Sequence, residues 1–206
     1  MQKFSLSYDD QTAMPLEIPN ASRDNLTEWF KELDFKTGVE LGIAEGEFSE
    51  TVMENNPQMT LFGIDPYQKL DGYYDYRLRS TFDKMEHAAH TRLDKFENYH
   101  FVKKTSAEAL TDFEDGSLDF VYVDANHDMY HLVFDIYNWT KKIRSGGIIA
   151  GHDYYRAKDT AHTHVLQTIP VYADVYRIRP WFVIGTEGKF EGQVRDQIRS
   201  WMWVKQ

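Results

Sequence analysis

The chain has 206 residues, 42% apolar and 27% charged, with 13 Phe, 13 Tyr and 5 Trp, enough for one compact domain with a substantial core. Its net charge of −10, from 23 basic and 33 acidic residues, argues against a large nucleic-acid footprint, because phosphate binding draws on a basic surplus. No apolar run approaches the ~20 residues that span a bilayer. Residues Met1 to Asp10 lack a secretory h-region. The absence of cysteine removes disulfides, thiolate metal sites and cysteine nucleophiles together, and fits a cytoplasmic location.

Residues 1–20 show no periodicity and read as an N-terminal arm, with a single domain over 21–206. Leu26, Trp29, Phe30 and Leu33 then mark a helix behind the cap candidates Ser22 and Asp24. Thr37 to Leu41 reads as a buried strand, Phe48 to Glu54 as a helix, and Leu61 to Ile64 as a second strand. Residues 67–77 read as a loop carrying Tyr67, Tyr73, Tyr74, Tyr76 and Arg77. With Arg79 they form an aromatic and basic stretch, either a substrate wall or a surface loop packing its own tyrosines. Leu78, Phe82, Met85, Ala89, Leu93 and Phe96 mark a long helix, and Tyr99 to Val102 a third strand. Phe120 to Val123 is apolar throughout, as a strand covered on both faces should be.

The next helix places Met129, Leu132, Val133, Ile136, Tyr137, Thr140 and Ile143 on one face. Lys141, Lys142 and Arg144 close its last turn, and Gly146-Gly147 stop it. Ile148 to Ala150 is the fifth strand. A helix around 162–177 follows, disturbed at Pro170, with His162 and His164 as surface or capping groups near its start. Trp181 to Gly185 and Ser200 to Val204 close the chain as two strands with no helix between them, and Trp181, Trp201 and Trp203 belong to the core or an oligomer face. The alternation predicts an α/β fold of Rossmann-like, doubly wound type. It has three α/β/α layers on a mostly parallel seven-stranded sheet with an antiparallel edge strand.

In such sheets ligands bind at the carboxyl ends of the strands. Those ends carry Glu40-Leu41-Gly42-Ile43-Ala44-Glu45-Gly46, Asp65, Thr105-Ser106, Asp124 and His152-Asp153, so four of five present an acidic group. Gly42 and Gly46 suit a tight turn and a close backbone approach to a ligand, or simply a strand–helix turn. Asp65 lies 23 residues after Gly42, near the ~20-residue spacing at which a carboxylate meets ribose hydroxyls in nucleotide folds. Pro66 leaves a turn or capping role open. Glu40, Glu45 and Glu47 are poor company for a pyrophosphate, and the third glycine of a dinucleotide loop is missing. A nucleoside bearing a sulfonium and an ammonium suits these carboxylates better than NAD does.

Gly38-Val39-Glu40-Leu41-Gly42-Ile43-Ala44-Glu45-Gly46 resembles motif I of class I S-adenosylmethionine-dependent methyltransferases. Val121 to Asp128, followed by Gly146 to Tyr154, resembles the macrocin-type family of small-molecule and sugar O-methyltransferases, over roughly residues 25–205. The resemblance implies that Glu40, Gly42, Gly46 and Ser49 hold the methionine portion and that Asp65 binds the ribose. Ser106 and Ala107 would flank the adenine. Asp124, Asp153 and His152 would ligate Mg²⁺, with Asp124 also bordering the cofactor and serving with His127, the general base, in catalysis. The family commonly places two acidic groups where this chain has His152-Asp153. Asp124 alternatively serves as a turn or cap for the following helix. The implied acceptor is a small molecule or saccharide, with no membrane partner and a possible homo-oligomer.

Three other functions sit beside this one. An NAD-dependent oxidoreductase predicts the missing glycine. An amino-methylating nucleic-acid enzyme predicts a proline-containing element where Asp124-Ala125-Asn126-His127 stands. A non-catalytic cofactor-binding module is compatible with every motif.

Overall fold

The structure, a computed structural model, describes residues 6–69, 79–156, 163–188 and 190–206. Tyr73, Tyr74, Tyr76, Arg77, Leu78, His162 and the side chain of Arg79 lie outside the described residues. The elements in chain order are β1 (Leu16–Ile18), α1 (Arg23–Glu32), β2 (Thr37–Leu41), α2 (Glu47–Asn55), β3 (Thr60–Ile64), α3 (Arg79–Leu93), β4 (Tyr99–Val102) and α4 (Ser106–Ala109). Then follow β5 (Leu118–Val123), α5 (Met129–Lys142), β6 (Ile143–Tyr154), α6 (Val165–Val175), β7 (Phe182–Ile184) and β8 (Arg199–Val204).

The sheet has eight strands in the order β1-β7-β8-β6-β5-β2-β3-β4. β8 runs antiparallel to both neighbours, and the remaining pairs are parallel. Side chains alternate between two cores. Phe120 and Tyr122 face α1–α3, where the Phe30 and Phe120 ring centroids lie 3.9 Å apart. Val121 and Val123 face α5 and α6 with Leu132, Ile136, Trp139, Val165 and Ile169. This is the three-layer, doubly wound architecture expected. Close strand packing also needs Gly38, where a Cβ would fall 2.0 Å from the Phe120 ring.

Several details differ. The expected seven strands are eight, because Leu16–Ile18 of the supposed arm pairs in parallel with β7. Leu16 and Ile18 are buried around a more open Glu17, an alternation too short to be legible as periodicity. The antiparallel strand is not outermost, since β7 and β1 lie beyond it. The buried stripe of α5 is Leu132, Asp135, Ile136 and Trp139, whereas Met129 and Tyr137 are exposed. Arg144 lies in β6 rather than the last helical turn, and its Nε donates to Asp119 at 2.6 Å. α6 runs through Pro170 without ending there. Trp181, Trp201 and Trp203 are core residues. Among the described residues no helix is long and apolar enough to cross a membrane.

Candidate functional site

β2 and β5 are neighbours, but their chains leave in opposite directions, through α2 to β3 and through α5 to β6. At this switch point the carboxyl ends of the strands cannot be covered by their own connections, which leaves a crevice. A cavity of about 880 Å³ occupies it, within the range of sites that take nucleotide-sized ligands. Gly42, with φ +84°, makes the turn out of β2, and a Cβ there would lie 2.2 Å from the Asp124 carbonyl oxygen. The two strand ends are therefore in backbone contact, which brings the first loop and Asp124 to one wall.

Asp65 is locked at the end of β3. One carboxylate oxygen accepts from the Ile43 and Ala44 amides at 3.0 and 3.2 Å, and the other from the Tyr67 amide at 2.8 Å. Burial raises its pKa against the lowering effect of those three bonds. Asp65 lines the cavity. The Tyr67 hydroxyl donates to the Ala44 carbonyl at 3.0 Å and braces the same loop.

Glu40 is buried at 2% exposure. The Ser49 hydroxyl donates to its carboxylate, and the Tyr99 hydroxyl lies 3.1 Å from the Ser49 oxygen. Gly63 admits this arrangement, since a Cβ there would stand 1.8 Å from the Tyr99 oxygen. Burial pushes the Glu40 pKa up to about 8, despite the Ser49 bond. Glu40 is thus largely neutral at pH 7.

Ser49 and Gly46 do not line the cavity. Ser49 acts on Glu40 from beneath it. Gly46, φ +81°, begins α2, and its missing Cβ makes room for Leu93 and Ala89 of α3. Ser106 and Ala107 border the far end of the cavity, after a capping box in which the Glu108 amide donates to the Thr105 hydroxyl at 3.2 Å. Beside them Asp135 is 1% exposed, with Ser106 as its hydrogen-bonding partner and its Oδ1 unpartnered among the described residues. Burial lifts its pKa to about 7. An acid inside an apolar helical stripe was the available signal for Asp135.

The third group converges at the ends of β5 and β6. His127 Nε2 lies 3.3 Å from Asp124 Oδ1 and 3.1 Å from Asp153 Oδ2. His152 Nδ1 is 3.6 Å from Asp124 Oδ2 and 3.5 Å from Asp153 Oδ2. Ligand atoms of Asp124, His152 and Asp153 all lie within 4.8 Å of one another, so these three residues could hold a divalent cation. Asp153 adopts φ +59°, a left-handed conformation that non-glycine residues take at a cost of roughly 1–2 kcal/mol. Burial would lower the His152 pKa, but Asp153 and Asp124 raise it overall. Burial would raise the Asp153 pKa, but the His152 bond and the His127 charge hold it below the usual value.

The capping role open to Asp124 falls to Asp128, whose Oδ1 accepts from the His131 amide at 3.0 Å at the start of α5. Asp124 is left for the cavity. The His164 amide donates to the His127 carbonyl at 2.8 Å, and His164 Nδ1 accepts from the Met129 amide at 3.0 Å. His164 thus ties the His127 loop to the start of α6.

The profile of a family described as "Methyltransferase domain" matches residues 39–154, more than half of the chain, from the strand carrying Glu40 to the end of β6. Over 120 residues the chain is 26% identical to the uncharacterized protein y4gI of Sinorhizobium fredii, a match covering 56% of this chain and 12% of that protein. The O-methyltransferase TomG of Streptomyces achromogenes, solved with SAM, superposes with a TM-score of 0.57 at 15% identity, over 89% of this chain and 80% of its own. The N-methyltransferase NodS of Bradyrhizobium japonicum superposes with a TM-score of 0.55 at 14% identity, over 89% and 94%. O- and N-methylating proteins share the fold, so the fold leaves the acceptor atom to the site. With its motif-bearing strands inside the matched segment, the chain belongs to the methyltransferase-domain family.

Proposed function

We propose that the protein transfers the methyl group of S-adenosylmethionine to a hydroxyl oxygen of a small-molecule or saccharide acceptor, in the manner of the macrocin-type enzymes. The observation that carries this reading is His127 between two carboxylates, in the same cavity as Glu40 and Asp65. Asp65 would accept from the ribose hydroxyls, Glu40 would meet the ammonium, and Ser106 and Ala107 would flank the adenine. His127 takes the acceptor hydroxyl proton as the oxygen attacks the methyl carbon in line and the sulfonium leaves as a thioether. Asp124 and Asp153 hold the imidazole in place and stabilise its cationic form.

Asp124, Asp153 and His152 fit a divalent cation, Mg²⁺ by the resemblance, since two carboxylate oxygens and one imidazole nitrogen converge. When bound, the cation would supply Lewis acidity that lowers the acceptor hydroxyl pKa.

The test is transfer of labelled methyl from S-adenosylmethionine to a panel of sugar, diol, phenol and amine acceptors, with Mg²⁺ or with a chelator. Methylation of hydroxyl acceptors, lost in His127→Asn, supports the reading. Transfer confined to amines removes the O-methyl assignment, and equal rates with chelator remove the cation.

A further inference from the structure

The cavity is bordered by seven carboxyl-bearing side chains and, among the described residues, by a single Lys or Arg, Arg23. Such walls suit an uncharged acceptor rich in hydrogen-bond donors better than an anionic one. One wall is the first turns of α5, where Tyr130, His131 and Phe134 line the cavity. Asp128 needs only Oδ1, bonded to the His131 amide, to cap this helix. Its second oxygen, Oδ2, lies 2.6 Å from Nδ1 of the His131 ring. Burial would raise the Asp128 pKa, but the bonds from the His131 amide and ring hold it below the usual carboxylate value. An ionised carboxylate only accepts, so Nδ1 carries the proton. Asn126 Nδ2 touches the same nitrogen at 3.1 Å, but the shorter, charged partner takes the bond. Among the described residues Nε2 has no hydrogen-bond partner. The Tyr130 ring stands edge-on to His131 with centroids 5.0 Å apart, and Tyr130 is 73% exposed.

A carboxylate on one imidazole nitrogen fixes the tautomer and leaves the other nitrogen as an acceptor for a ligand. One aspartate thus grips His131 by both amide and ring, which a helix cap alone does not require. We propose that His131 is an acceptor-positioning residue whose Nε2 accepts a hydrogen bond from a second hydroxyl of the acceptor, with the Tyr130 ring beside it as an apolar platform, so that the site selects polyhydroxylated rings over acceptors with one hydroxyl. The inference rests on the reading of methyl transfer to a hydroxyl and narrows its acceptor. His131 lies outside Val121 to Asp128 and Gly146 to Tyr154, the stretches that carry the resemblance.

The tautomer is read without turnover, by long-range proton–nitrogen NMR of the His131 ring in the full chain at about pH 8. A protonated Nδ1 with a bare Nε2 is expected. Asp128→Asn keeps an oxygen for the His131 amide but turns an amino group toward the ring, and should move the proton to Nε2. A wild-type ring protonated at Nε2 would overturn the proposal. Methyl transfer is then measured with saturating S-adenosylmethionine on methyl glucopyranoside, its monodeoxy analogues and cyclohexanol, using wild type, His131→Leu and His131→Gln. Wild type is expected to favour the full polyol over at least one monodeoxy analogue by about tenfold in kcat/KM. His131→Leu should lose that preference through KM, with Tm and calorimetric affinity for S-adenosylhomocysteine unchanged. His131→Gln, whose amide oxygen can stand in for Nε2, should keep part of it. No preference in wild type, or an equal loss on every acceptor in His131→Leu, would overturn the proposal. Weakened S-adenosylhomocysteine binding in His131→Leu would overturn it in favour of a cofactor contact. Transfer to amines but to none of these hydroxyls would instead bring down the O-methyl reading, and the acceptor assignment with it.

Discussion

Cofactor binding should expel a proton, and Glu40 should be its source. With its pKa at about 8, Glu40 is about 90% protonated at pH 7 in the free protein. An ammonium arriving within ~4–6 Å lowers a carboxyl pKa by roughly 1–3 units. Taking about 2 units, the bound form is about 10% protonated at pH 7, so binding releases about 0.8 proton. At pH 9 the free carboxyl is already ionised and release falls to about 0.1. Linkage makes the association constant rise about fivefold per pH unit between about pH 6 and 8 and then level off. The assay is calorimetric titration with S-adenosylhomocysteine in buffers of different ionisation enthalpy, in wild type and Glu40→Gln. The difference between the two isolates Glu40 from the His127, His152 and Asp135 background. Equal proton release in both proteins at pH 7 would refute the argument, since no other change separates them.

Other substitutions probe the remaining parts of the site. Gly42→Ala should cost about 2–5 kcal/mol, from left-handed strain and the collision with the Asp124 carbonyl, read as a lower midpoint in urea. A wild-type midpoint would show that the two strand ends are not in contact. His127→Asn should lower kcat by about 10²–10⁴ with cofactor affinity intact, and parallel losses in both would assign His127 to binding. Asp135, with its pKa raised from 3.8 to about 7, keeps a proton that the unfolded chain has lost. Its stabilising effect is therefore full below about pH 4, declines as pH rises, and is gone above about pH 7. Asp135→Asn should remove up to about 4 kcal/mol of this pH-dependent loss, seen as a higher stability relative to wild type at pH 8 than at pH 4. The same pH dependence in both proteins would exclude Asp135 as its cause.

The strand ends were legible because a doubly wound sheet must expose them. A carboxylate or histidine following an apolar run of four or five residues can hardly avoid the crevice, as Asp65, Asp124, His127, His152 and Asp153 show. What periodicity cannot reveal is direction around a helix or distance across the fold. Gly46 ends motif I and Ser49 follows it in α2, but both turn away from the cavity, Ser49 toward Glu40 and Gly46 toward α3. Arg23 precedes the motif by 15 residues and reaches the cavity only because α1 packs beside α2. Asp135 was hidden among apolar neighbours, and β1 offers only Leu16 and Ile18 as a pattern. The acidity of the first loop was overread for a physical reason. Burial raises the Glu40 pKa to about 8, which a count of carboxylates along the chain does not reveal.

The central claim is that this cavity binds an adenosyl sulfonium nucleoside through its ribose and amino-acid end. The most direct measurement is calorimetry of wild type and Asp65→Ala with S-adenosylmethionine, S-adenosylhomocysteine and NAD. Binding of both adenosyl ligands, weakened about tenfold or more by Asp65→Ala with NAD silent, is the predicted result. Binding of NAD with silence from the adenosyl ligands would contradict it and assign the crevice to a dinucleotide.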